Sequence, residues 1–277
     1  MIASTGLRGI WSAVLTPVGN DLAPDADNAI PYYAELLENG CDGLNTLGTT
    51  GEAMSFSAEQ RLQFMEAIAS SALPTGRIMA GTGAASLDDA VRLMQAAFEL
   101  GFAAALVMPP FFYRDVTDDG VVRFFDALFS RSYSSGNSVL LYNFPRMSGI
   151  TFHADLVDRL LFEFPGEIAG MKDSSNDRAL QAEIRKRHSK FAIFPGSEAY
   201  LLDAKAYGAS GCISGSVCLW PSLAKAVFET ENDDAERQLA DLRRSLPAQN
   251  LIAAVRTRVA IQRNDERWAR SVPPLGA

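Results

Sequence analysis

The sequence predicts an α/β chain folded as a (β/α)8 TIM barrel with a C-terminal helical extension, and three observations predict it. Eight short apolar runs of strand length alternate with amphipathic segments of helix length. Helical patterns repeatedly end in a glycine, and three residues later a second small residue opens an apolar run, as at Gly40 and Gly43, Gly101 and Ala104, and Gly208 and Gly211. Each such junction reads as a helix C-cap followed by a buried parallel strand. After Trp220-Pro221 the strands cease and only helical patterns follow.

In chain order, the strand-like runs fall near residues 9–16, 43–47, 77–81, 104–108, 138–143, 167–171, 191–194 and 211–213. Helix starts stand between them. Ser57 with Gln60 makes a capping-box pattern, Ser86 precedes Asp88 and Asp89, and Thr117 precedes Asp118 and Asp119. Val121, Phe124, Phe125, Leu128 and Phe129 then form one helical stripe, which reads as packing. Past Pro221, helices are expected near 222–229, 233–245 and 249–263, before a Pro273-Pro274 tail. The expected organisation is a barrel over 1–219 that carries the site, with a helical extension over 220–277.

Composition narrows the function classes. The 277 residues are 48% hydrophobic and 21% charged, ordinary values for a globular chain able to bury a large core. A net charge of −8 argues against nucleic acid or an anionic membrane as partner. Cys41, Cys212 and Cys218 form no CxxC pair, which fits a reducing cytoplasm. No stretch approaches 18 apolar residues, and the start MIASTGLRGIWSAVLTP lacks a secretory pattern. The two histidines, His153 and His188, cannot build a three-histidine metal site, and His188 in its basic run reads as solvated. A carboxylate-led divalent site stays open in principle, though no strand end carries paired Glu/Asp and His, and no GxGxxG or GxxxxGK[ST] pattern follows a strand, so nucleotide binding has no support.

In a barrel of this kind chemistry sits at the C-terminal ends of the strands. Residues 168–175, IAGMKDSS, place Lys172 at the end of an apolar run, unlike Lys186, Lys190, Lys205 and Lys225. Burial strips water from an ammonium and favours the free, nucleophilic amine, so Schiff-base formation with a ketone is one reading. From this segment alone, a lysine that snorkels at a strand end fits as well. Tyr142 closes the preceding run before Pro145 and lies 30 residues from Lys172, one βα unit, so the two belong on adjacent strand ends. A phenol there can move protons for the amine, or simply pack at the rim. Gly48-Thr49-Thr50-Gly51-Glu52 follows the second run, where two glycines and two hydroxyls suit a carboxylate or phosphate cradle. In isolation an ordinary glycine turn explains it too.

Together GTTGE at 48–52, YNFP at 142–145 and GMKDSS at 170–175 resemble the dihydrodipicolinate synthase/N-acetylneuraminate lyase superfamily of pyruvate-type class I aldolases. Leu15-Thr16-Pro17 and Pro195-Gly196-Ser197 extend the likeness over the whole chain. The resemblance implies that Lys172 forms the Schiff base with a 2-oxo acid such as pyruvate, with no cofactor beyond that covalent imine, that Thr49 and Thr50, with Gly48, hold its carboxylate, and that Tyr142 is the acid/base. It also implies that Gly196 and Ile213 line the pocket and that the assembly is a homotetramer. Two positions depart from the dihydrodipicolinate synthases. Met147 stands where they carry a carboxylate-binding arginine, with Arg146 one residue early, and Phe112 replaces the tyrosine that crosses their dimer interface, with Tyr113 next to it. The expected activity is therefore a lyase acting between pyruvate and an aldehyde through a 2-keto-3-deoxy sugar acid, with Ser148, Ser197 and Ser214 available to its hydroxyls. Dihydrodipicolinate synthesis, an imine-dependent dehydratase and a non-catalytic 2-oxo acid binder are the alternatives.

Overall fold

The computed structural model describes residues 6–132, 138–247 and 249–276, so the first five residues of the stretch read for a leader lie outside it. Strand and helix alternate from the start. The order is β1 Gly9–Ala13, α1 Ala26–Glu38, β2 Gly43–Thr46, α2 Ala58–Ala69, β3 Ile78–Gly81, α3 Leu87–Glu99, β4 Ala104–Val107 and α4 Asp118–Arg131. It continues as β5 Val139–Asn143, a single-turn α5 Pro145–Ser148, α6 Ala154–Glu163, β6 Ile168–Asp173, α7 Arg178–Arg187, β7 Ala192–Pro195, α8 Leu201–Ala206 and β8 Gly211–Ser214. Among the described residues three α-helices follow without strands: α9 Pro221–Thr230, α10 Asp233–Arg244 and α11 Leu251–Arg263.

The expected caps form. Ser57 and Gln60 exchange bonds in a capping box, and the Ser86 and Thr117 side chains accept from Asp89 N–H and Gly120 N–H. Gly40, Gly101 and Gly208 take the left-handed φ values of +114°, +75° and +90° that end their helices. Gly43 answers a different need, because a Cβ there would meet the Trp11 indole at 2.3 Å.

The eight strands lie parallel in the order β7-β6-β5-β4-β3-β2-β1-β8 and curl into a nearly closed barrel. Alternation along each strand makes two cores. Trp11, Met79, Leu106, Leu140, Tyr142, Phe194 and Ile213 fill the interior, while Ile10, Leu44, Ile78, Val107, Leu141, Met171 and Ile193 face the helices. At the β7–β8 seam the Ser210 N–H donates to Ile193 O at 2.8 Å.

Some boundaries differ from the expectation. β1 stops at Ala13 rather than Thr16, while β6 runs on to Asp173, because Lys172 and Asp173 still pair in register with Phe194 and Pro195 of β7. Lys172 is thus inside the strand, not beyond it. His188 is not solvated: its ring bonds Asp158 and is only 23% exposed, since the C-terminal end of α7 folds it back against α6.

Candidate active site

The β5–β6 ladder puts Tyr142 directly opposite Lys172. Both residues are 4% exposed, and the Lys172 Nζ lies over the Tyr142 ring, 4.5 Å from its centroid. The amine is therefore shielded from solvent and held at a fixed distance from the phenol. The Tyr142 hydroxyl reaches Thr49 Oγ1 at 3.2 Å. Lysine, tyrosine and the first threonine of the β2 loop therefore form one cluster.

That loop is built differently from the expectation. Its left-handed residues are Leu47 and Glu52, at φ 51° and 54°, rather than the glycines. The glycines serve close approach: a Cβ on Gly48 would meet Asn45 Oδ1 at 2.7 Å, and one on Gly51 would meet Thr16 Oγ1 at 2.9 Å. Thr50 lies against β8's exit, where a Cβ on Gly215 would meet its Oγ1 at 2.5 Å. Gly196 follows β7, donates its N–H to Asp173 O at 2.7 Å and faces Ser174, while Ile213 is fully buried in the inner core.

Two groups that the sequence reading passed over hold this mouth together. Asp173, fully buried, accepts from Asn143 Nδ2 at 2.7 Å, Ser175 N–H at 3.0 Å, Ser175 Oγ at 2.9 Å and Gln181 Nε2. Asn143 Oδ1 in turn accepts from Phe152 N–H at 3.0 Å. Glu198, also fully buried, accepts from Ser214 Oγ, from Ser216 Oγ at 2.6 Å and from Trp220 Nε1 at 3.0 Å. A signal existed for the first: Asn143 and Asp173 repeat the 30-residue spacing of Tyr142 and Lys172.

The positions expected to select the second substrate are exposed. Phe112 and Tyr113 are each 75% exposed, and Met147 is 38% exposed on α5 beside an exposed Arg146. Of the three serines, Ser148 is buried and spends its hydroxyl on Phe144 O and Ile150 O, at 3.2 and 3.1 Å, and Ser214 spends its own on Glu198. Only Ser197 remains of the set, 9% exposed and accepting from Ala199 N–H. Among the described residues no group of three His, Cys, Asp or Glu could hold a metal, and no helix is long and apolar enough to cross a membrane.

Fold and strand-end lysine define the class of protein: a (β/α)8 barrel with a buried lysine–tyrosine pair at its mouth. The model of the dihydrodipicolinate synthetase family matches residues 6–262, and the chain belongs to that family. It is 33% identical to an uncharacterized DapA-like lyase of Chloroflexus aurantiacus, over 92% of this chain and 85% of that one. It is 27% identical to an N-acetylneuraminate lyase of an Enterobacter species, over 83% and 77% of the two chains. The crystal structure of dihydrodipicolinate synthase from Agrobacterium tumefaciens superposes with a TM-score of 0.91 at 30% identity, covering 98% of this chain and 94% of that one.

Proposed function

We propose that this chain is a Schiff-base-forming lyase that makes or breaks a C–C bond between pyruvate and an aldehyde, acting on a 2-keto-3-deoxy sugar acid. The observation that carries the reading is the buried Lys172 amine over the Tyr142 ring, with the Tyr142 hydroxyl bonded to Thr49. The family, whose members include proteins named as lyases, supports it.

In the cleavage direction the Lys172 amine attacks C2 of the oxo acid, and Tyr142 passes protons so that the carbinolamine loses water and leaves an iminium. Thr49 and Thr50 hold the carboxylate, with the Gly48 backbone beside them. A base removes the C4 hydroxyl proton, the C3–C4 bond breaks, the aldehyde leaves, and the electron pair moves into the imine as an enamine. Protonation of the enamine at C3 and addition of water release pyruvate and free Lys172. No metal or other cofactor enters these steps. Gly196 and Ile213 shape the wall, and Phe112 and Met147 border the second-substrate side. By family likeness the working form is a homotetramer; the cysteine usage suits the cytoplasm, and the strand–helix pattern puts the site in a barrel of residues 1–219 with a helical extension over 220–277.

The choice of sugar acid over dihydrodipicolinate synthesis rests on unpaired charge. Aspartate semialdehyde brings its own carboxylate, and Met147 offers it no partner. A charge-assisted hydrogen bond contributes about 1.5–3 kcal/mol, so its absence costs roughly ten- to a hundredfold in kcat/KM. The test compares kcat/KM for 2-keto-3-deoxygluconate cleavage with that for pyruvate plus aspartate semialdehyde. A clear preference for the second pair means that Arg146 has replaced the missing arginine and that the sugar-acid reading is wrong; no turnover on any aldehyde favours a 2-oxo acid binder.

A further inference from the structure

The loop that carries Thr49 and Thr50 ends on a charge that the reaction above does not use. The Glu52 side chain is 0% exposed and the Arg256 side chain 1%. Arg256 stands on α11, 204 residues further along the chain, and its Nε–H donates to Glu52 Oε1. Its other N–H groups go to Thr16 O at 2.8 Å and Trp268 O at 3.4 Å. Glu52 also accepts from Ser271 Oγ at 3.0 Å and from Val272 N–H at 3.3 Å. One buried ion pair thus joins the exit of β1, the β2 loop and the last segment of the chain.

The main chain of the same residue holds the start of the loop, at the first threonine. Glu52 N–H donates to Thr49 O at 3.0 Å, and the next N–H, of Ala53, donates to Gly48 O at 3.3 Å. Glu52 sits at φ 54°, a left-handed backbone that a non-glycine residue keeps only where its surroundings over-determine it. Those surroundings are Arg256, Ser271 and Val272. Neither charge tolerates burial without the other, so the loop reaches this shape only with α11 in place. A Cβ at Gly51 would meet Val14 O at 3.1 Å, which shows how tightly the loop rests on the β1 exit that Arg256 also grips.

We propose that Arg256 is a positioning residue for the oxo-acid carboxylate: through Glu52 the C-terminal extension sets where Thr49 and Thr50 stand. This rests on the lyase reading above. It predicts a selective defect, because a displaced threonine pair weakens the hold on a carboxylate, while Lys172 is held by its own strand pairing with Tyr142 and Phe194 and so still binds a ketone that has none.

The experiment uses the full chain, wild type against Arg256→Met and Arg256→Lys, with folding verified by circular dichroism. Borohydride trapping at Lys172 is measured with pyruvate and with hydroxyacetone, which lacks a carboxylate. Arg256→Met should raise the pyruvate concentration for half-maximal trapping by roughly tenfold or more, and leave hydroxyacetone trapping within about twofold of wild type. Arg256→Lys keeps a charge for Glu52 but cannot span Thr16 O and Trp268 O as well, so a rise of about threefold is expected, and it carries the comparison if the methionine variant does not fold. An unchanged pyruvate dependence in a folded variant, or an equal loss with both probes, overturns the proposal. Absence of any Lys172 adduct in the wild type is a different failure, that of the lyase reading itself.

Discussion

The β5–β6 edge and the β7–β8 seam flank the same mouth and are held by opposite means. Along the first, the ladder shifts register once, between Val139 and Leu140, and then runs in step from Leu140↔Gly170 to Tyr142↔Lys172 and Asn143↔Asp173. At the second, the described ladder pairs stop, and closure comes from the Ser210 N–H to Ile193 O bond and from Glu198 gathering Ser214, Ser216 and Trp220. The nucleophile and its proton carrier need fixed spacing, and a backbone ladder supplies it from the peptide geometry itself. A seam closed by side chains can be re-spaced by substitution without unzipping a strand.

The largest break comes at the ladder. Lys172→Met keeps volume and register but removes the amine, and kcat for pyruvate release should fall by roughly 10⁴-fold or more. Retained turnover would move the chemistry elsewhere. Tyr142→Phe should fold normally and lower kcat by roughly 10²–10⁴-fold, the scale for a positioned acid/base. A near wild-type rate would make that ring packing only.

The seam should respond in stability rather than in chemistry. Glu198→Ala leaves two hydroxyls and an indole N–H without their acceptor and should cost about 2–4 kcal/mol in urea unfolding, with kcat within about tenfold. A catalytic loss far beyond that would mean the seam also sets the reacting geometry.

The layer behind β1 and β8 should add a pH slope. Burial pushes the thiols of Cys41 and Cys218 up to about 12, with nearby Cys218 and Asp42 adding to the effect at Cys41. An unfolded thiol gives up its proton near pH 9 while the folded one keeps it, so stability falls as pH rises from about 9 toward about 12. Urea unfolding of a Cys41→Ala/Cys218→Ala variant should show a flatter slope across that window; equal slopes would remove the thiols from the account.

The barrel and its lysine–tyrosine pair were legible because both follow a period: strand alternates with helix, and 30 residues separate matching strand ends. The β2 loop was legible as a motif but not as a structure, since nothing local shows that Leu47 and Glu52, rather than the glycines, turn left-handed. The Glu198 cluster spans up to 22 residues and the Glu52–Arg256 pair 204, and no spacing rule joins residues that meet only through tertiary packing. Ser148 illustrates the same limit. Its hydroxyl was read as free for substrate, and the one-turn α5 turns it onto Phe144 O and Ile150 O instead.

The central claim is that the ladder presents Lys172 as an imine-forming amine beside Tyr142. Borohydride reduction in the presence of pyruvate, followed by peptide mass spectrometry, tests it most directly. The account predicts inactivation with a single reduced pyruvate adduct on Lys172; an adduct on another lysine, or none while pyruvate still binds, would contradict it.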